Sequence, residues 1–251
     1  MNRTLTVALA LCCLLVTGCA STPSGRTDPR DPFERVNRAV FRFNDAVDRT
    51  VARPVARAYR RVTPDPVETG VSNFMDNITY PIVIVNDLLQ GKFAAAARDT
   101  GRFLLNTTLG VAGVFDPATA VGLEENDEDF GQTLGVWGVP PGPYLMLPFL
   151  GPSTVRDGIG RIADEYSDPR NYIERDAVRY SILALRVVDT RARLLDADAA
   201  LDRAFDRYAF VRNAYLQRRE YLVRDGDVPE ESIEDELLKE LEEESEPEPQ
   251  E

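Results

Sequence analysis

The chain has 251 residues, 28% of them charged and 43% hydrophobic, and contains no histidine. Without histidine there is no Ser-His or Cys-His catalysis, no histidine-ligated metal and no usual neutral-pH general base. The net charge of −13 is uneven: Glu230 to Glu251 hold 12 acids and one Lys, so the body is almost neutral and offers no basic stripe for nucleic acid.

Arg3 followed by the uncharged run Thr4 to Gly18 has the layout of a secretory signal peptide. Val16-Thr17-Gly18-Cys19 resembles the bacterial lipobox, with Val where Leu is commoner. Cleavage there removes residues 1–18 and leaves Cys19 as an acylated first residue; a chance Cys after an ordinary signal peptide is the competing reading. Cys12 and Cys13 fall in the removed part, so no intrachain disulfide is expected, although the compartment is oxidising. Ala20, rather than the Asp of lipoproteins held at the inner membrane, points to the outer membrane. Residues 19–30 read as a tether, 31–225 as one folded body and 226–251 as an acidic, disordered tail. A short helix on Ile233, Leu237, Leu238 and Leu241, or a docking arm for a basic partner, are the alternatives for the tail.

Asp31-Pro32-Phe33-Glu34 predicts a helix start, with Asp31 as N-cap and Pro32 in the first turn. Phe33, Val36, Val40, Phe43, Val47, Val51, Val55 and Tyr59 then form one apolar stripe, with a bend expected near Pro54. Arginines 35, 38, 42, 49, 53, 57, 60 and 61 flank it. Such a helix suits a membrane interface, with its arginines snorkelling to phosphate head groups; a core helix in an Arg-rich chain gives the same pattern. A second helix is expected from Thr63-Pro64 to about Asn77, and a separate apolar run from Tyr80-Pro81 to Gly91. Next come an Ala-rich segment, Lys92 to Leu105, and the acidic cluster Glu124 to Asp129, which lacks the ligand order of a calcium loop and reads as a solvated turn.

Phe130 to Val155 contains no charged residue, yet ten of these 26 residues are Gly or Pro, so it cannot be one helix. Irregular backbone is tolerated at membrane depth only where protein buries it or it lines a polar cavity. The stretch therefore reads as the wall or lip of a cavity, or as a Gly/Pro-rich loop crossing an ordinary core. In the first reading Gly135, Val136, Trp137, Gly138, Gly142, Pro143 and Tyr144 form a gate, with Val136 to Pro143 moving and Leu145 to Leu150 fixed behind. Ser153 is expected to cap the following helix. From Arg170 to Asp225 there is neither Gly nor Pro; helices with a break at Asp196-Ala197-Asp198 are expected.

No G-x-S-x-G elbow or phosphate loop occurs, so neither an enzyme nor a bound cofactor or metal is expected. Ser72-Asn73-Phe74, Leu89-Gln90-Gly91, Arg102 to Thr107 with Leu109-Gly110, Phe130 to Gly135, Gly142-Pro143-Tyr144, Gly151 to Thr154 with Arg156-Asp157, and Arg212 to Tyr215 with Gln217-Arg218-Arg219 resemble, in register, the MlaA (VacJ) lipoproteins. The resemblance implies a mostly α fold: a single helical ring-like domain embedded in the inner leaflet of the outer membrane, with an amphipathic channel at the Gly/Pro-rich loop. It also implies removal of mislocalised phospholipid from the outer leaflet, trimeric porins as neighbours and a soluble periplasmic lipid carrier as recipient. A structural or assembly lipoprotein whose apolar loop binds a partner is the rival reading, and a lipid hydrolase a third. The stripe residues Phe33, Val36, Val40, Phe43 and Val47 are expected to face lipid.

Overall fold

A computed structural model describes residues 28–227; the leader, Cys19 and the tail beyond Asp227 lie outside the described residues. The N-terminal stripe becomes α1 (Glu34–Val47), a π turn (Asp48–Ala52) and α2 (Arg53–Val62). Pro54 cannot donate a backbone N–H, and the ladder widens to a π turn just before it. The helix starts at Glu34, later than expected, and Asp31 is not its side-chain cap. Its carboxylate is committed elsewhere: fully buried, it accepts from Asn37 Nδ2 at 2.7 Å and from the Tyr208 hydroxyl, and pairs with Arg212 at 3.3 Å.

The two segments expected between Thr63 and Gly91 are one helix, α3 (Asp65–Leu89), which runs through Pro81. An internal proline costs roughly 3 kcal/mol in an isolated helix. Here Met75, Asn77, Tyr80, Ile82, Val83 and Asn86 are buried on both sides of it, and that packing holds the helix together. A turn at Gly91, with φ of 75°, leads into α4 (Phe93–Thr108), which packs along α3. Then come α5 (Pro117–Ala120), capped by Asp116, and α6 (Phe130–Val136), capped by Asp129.

The uncharged stretch is more regular than its composition suggests. After α6 and an exposed segment, β1 (Tyr144–Leu147) and β2 (Gly151–Thr154) pair antiparallel, Tyr144 opposite Thr154 and Leu147 opposite Gly151. This hairpin satisfies backbone groups that a loop would have left open. The cap of α7 (Val155–Ser167) is Thr154, whose Oγ1 accepts from the Asp157 N–H at 3.1 Å. Ser153, expected in that role, is buried and donates to the Thr154 carbonyl at 3.1 Å. The Gly-free region forms α8 (Asp176–Arg193), a 3-10 turn (Leu194–Ala197), α9 (Asp198–Arg203) and α10 (Arg207–Val223). The expected break is present, and Ala204 to Asp206 adds a second.

What these elements enclose is unusual for water. Among the described residues eleven buried side chains are apolar or aromatic and nineteen are polar or charged, while 35 large apolar side chains are exposed. Scattered exposed apolar residues are ordinary; the departure is the interior, since Asp, Glu and Arg are almost never fully buried unless paired. A small apolar cluster remains at Tyr144, Met146 and Tyr208, with Val40, Phe41, Val211, Tyr215 and Leu216 against it.

Candidate functional site: a polar interior beside an apolar mouth

Buried charges are tolerated only when paired, and each polar node here ties distant segments together. Arg219 on α10 donates to Asp129 at 2.6 and 2.9 Å and to Asp157 at 2.9 Å, while the Tyr215 hydroxyl donates to Asp157 at 2.7 Å. Burial opposes ionisation of Asp157, but Arg219 and that hydroxyl outweigh it and hold the carboxyl below its ordinary range. Arg102 on α4 donates to the Tyr80 hydroxyl at 2.7 Å and pairs with Asp116 at 2.9 Å. Of the arginines flanking the N-terminal stripe, Arg38 pairs with Asp206 at 2.5 Å, Arg53 with Asp202 at 3.2 Å and Arg60 with Asp196 at 2.8 Å. These three clamp the N-terminal helix to the C-terminal ones instead of reaching for head groups.

The cluster Glu124 to Asp129, expected as a solvated turn, is one in part: Glu124, Glu125 and Asp127 are exposed, whereas Asn126 and Asp129 are half-buried and Glu128 reaches into this interior. Glu128 is buried and accepts from Lys92 Nζ at 2.8 Å and Gln90 Nε2 at 2.7 Å. Asn126 Nδ2 reaches both Asp99, at 2.9 Å, and Asp87, at 3.3 Å, two carboxylates that are fully buried on neighbouring helices. Composition hid this, because the donors lie far away in sequence.

Two cavities flank α3. The larger, about 420 Å³, is bounded by Asp76, Thr79, Tyr80 and Val83 of α3, by Glu125, Asn126 and Asp127, and by Arg193 of α8 and Arg218 of α10. The smaller, about 110 Å³, is lined by Ile82, Val85, Asn86 and Leu89 of α3 with Phe130, Ala163, Asp164 and Ser167. At 100° per residue the two sets lie on neighbouring faces of one helix, so α3 separates a charged chamber from a mainly apolar one.

The residues singled out in the uncharged stretch divide between these surroundings. Val136, Trp137, Gly138 and Gly142 are exposed, and Gly138 and Gly142 have φ of 86° and 68°. Trp137 Nε1 donates to the Leu89 carbonyl at 3.1 Å, and its ring stands edge-on to Phe130 at 5.9 Å, so it touches two residues of the smaller cavity. Gly135 is a packing glycine: a Cβ there would lie 2.7 Å from Val223 and 2.8 Å from Arg156. Pro143 is half-buried, and Tyr144 is wholly buried in the apolar cluster, away from any lip. Leu145 to Leu147 are held in β1, whereas Phe149 and Leu150 protrude at the hairpin turn.

On the N-terminal stripe, Phe33, Val36 and Phe43 are exposed and Val47 is half-buried. Val40 packs against Tyr144, Met146 and Tyr208. Two residues between them escaped notice in the sequence. Asn37 Nδ2 donates to the Tyr144 carbonyl at 3.0 Å, and its Oδ1 accepts from the Met146 N–H at 2.9 Å. One heptad on, Asn44 repeats the pattern with the Leu147 carbonyl and the Phe149 N–H, both at 2.9 Å. The helix thus serves the open edge of β1 in place of a third strand.

No helix among the described residues is long and apolar enough to cross a membrane, and no group of three or more Cys, Asp or Glu side chains among them is placed to hold a metal.

Residues 29–222 match the family model described as MlaA lipoprotein. The chain is 38% identical over 225 residues to the intermembrane phospholipid transport system lipoprotein MlaA of Escherichia coli (strain K12), covering 88% of this chain and 89% of that one. It is 32% identical over 251 residues to the protein of the same name from Haemophilus influenzae, covering 96% and 99%. A solved structure described as the structural basis for maintenance of bacterial outer membrane lipid asymmetry superposes with a TM-score of 0.70 at 37% identity, over 79% of this chain and 100% of that chain.

Proposed function

The chain belongs to the MlaA lipoprotein family, and from that premise we propose that it carries mislocalised phospholipid out of the outer leaflet of the outer membrane without catalysing a reaction. The observation that carries the proposal is the character of its interior, in which polar and charged side chains outnumber apolar ones while many large apolar side chains stand exposed. A phospholipid must move its charged head along a polar path while its tails stay out of water, since each exposed CH₂ costs about 0.8 kcal/mol. The charged chamber and the apolar chamber on adjacent faces of α3 supply the two environments.

On this reading the exposed apolar faces, including Phe33, Val36 and Phe43, sit among acyl chains of the inner leaflet, and the exposed segment from Val136 to Gly142 acts as the lip. Cleavage before Cys19 and its acylation tether the body at the periplasmic face through residues 19–30. Trimeric porins would stand beside it, and a soluble carrier would take the lipid across the periplasm. The test is labelling of outer-leaflet phospholipid in cells with and without the gene, with extraction of lipid that co-purifies with the protein. Surface phospholipid should rise several-fold on deletion, and the co-purified lipid should be intact. Unchanged surface phospholipid would remove the transport reading, and hydrolysed lipid would replace it with a lipase.

A further inference from the structure

The charges facing the larger cavity do not balance, and the imbalance has a direction. Arg193 is already neutralised: its guanidinium pairs with Asp76 at 2.8 Å and with the fully buried Asp189 at 2.8 Å. Its remaining reach goes to the Ser72 carbonyl at 3.3 Å. That leaves Arg218 as the available cation on this wall, loosely paired with Asp127 at 3.6 Å, both side chains about 70% exposed to solvent. Glu125, on the same wall, makes no ion pair or hydrogen bond with another described residue. Its carboxyl stands on the exposed part of that wall, where a cation entering the chamber can reach it.

We propose that this chamber is a headgroup-selective site that prefers zwitterionic ammonium phospholipids to anionic ones: Glu125 and Asp127 receive the ammonium and Arg218 the phosphate. This inference rests on the transport reading and refines its substrate class. A guanidinium offers a planar fork of donors to phosphate oxygens. The two-carbon spacer of an ethanolamine headgroup keeps its ammonium close to its phosphate, so one small chamber accommodates both charges. An anionic glycerol headgroup brings a phosphate alone; it leaves Glu125 uncompensated and sets a like charge near it.

The experiment uses the full-length lipoprotein in detergent micelles doped with equal amounts of phosphatidylethanolamine and phosphatidylglycerol, with bound lipid counted by native mass spectrometry. The wild-type protein should retain several-fold more of the ethanolamine lipid. Glu125→Gln combined with Asp127→Asn should bring the ratio close to one, with circular dichroism confirming that the variant is folded. A wild-type ratio of one, or one favouring the glycerol lipid, overturns the selectivity while leaving the conduit standing, and so does a double variant that keeps the wild-type ratio. Failure to retain either lipid overturns both.

Discussion

Asp87 and Asp99 lie side by side on α3 and α4 with no exposure to water, sharing one amide donor, Asn126. Neither Asp87 Oδ2 nor Asp99 Oδ1 accepts a hydrogen bond, and Arg98 Nε stands 3.7 Å from the latter. Burial first, then the hydrogen bond to Asp99 and the neighbouring negative charges, push Asp87 up to about 7. Lys92, on the turn below, opposes this only in part. In the unfolded chain the same group titrates near 4. The folded state therefore binds the proton more tightly, and the stability this contributes is complete below about pH 4 and lost as pH rises through about 7. The wild-type melting temperature should fall by several degrees between pH 5 and pH 8, and Asp87→Asn should flatten that decline; parallel curves would show that the pair does not share a proton. Gly138 poses a different residue-scale question. With φ of 86° and no atom within 4 Å of a built Cβ, Gly138→Val meets backbone strain of roughly 1–2 kcal/mol but no clash. As part of a moving lip it should lose transport well beyond any loss of abundance. A transport loss that merely tracks abundance and melting temperature marks a static loop.

At the scale of elements, α1 has two faces with opposite environments. Its inner face carries Asn37, Val40, Phe41 and Asn44 against β1 and the apolar cluster, and its outer face carries Phe33, Val36 and Phe43. Asn37→Leu would keep the volume but strip the Tyr144 carbonyl and the Met146 N–H of their partner. Each buried orphan costs about 1–3 kcal/mol, so a stability loss of about 2–4 kcal/mol in denaturant titration is expected. The two faces should respond oppositely to charge. Val40→Asp should unfold the body, because Val40 packs against the buried cluster of Tyr144, Met146 and Tyr208. Phe43 meets only the protruding Phe149 among the rings, at 5.1 Å, so Phe43→Asp should leave circular dichroism unchanged and lower the share recovered with membranes on fractionation. If Phe43→Asp unfolds the protein while membrane recovery of the folded fraction stays constant, the outer face is not a lipid face.

For the molecule as a whole, a polar and charged interior beside many exposed large apolar side chains is the feature that the transport reading explains, by placing part of the surface against lipid. None of the described helices is long and apolar enough to span the bilayer, and the proposed attachment is through exposed side chains and an acyl chain at Cys19. Cys19→Ser should abolish incorporation of labelled palmitate and block processing, seen as a slower-migrating precursor. A variant that is still labelled would place the acylation elsewhere.

Several features were legible without coordinates. The period of Phe33, Val36, Val40, Phe43 and Val47 marks a helix, the lack of histidine removes most catalytic chemistry, and the glycines and prolines forbid a single helix from Phe130 to Val155. Motifs in register pointed to the family. Which way the helix faces was not legible, because periodicity reports that an apolar stripe exists and is silent on whether lipid or core receives it. Nor were the hairpin, the passage of α3 through Pro81, or the burial of Glu128 and Asp157. Each depends on a partner far along the chain: Asn37 on Met146, Lys92 on Glu128, Arg219 on Asp129 and Asp157. Local propensity is set by neighbours in sequence, whereas the worth of a buried charge is set by what the fold brings within about 3 Å of it, and only the tertiary structure decides that.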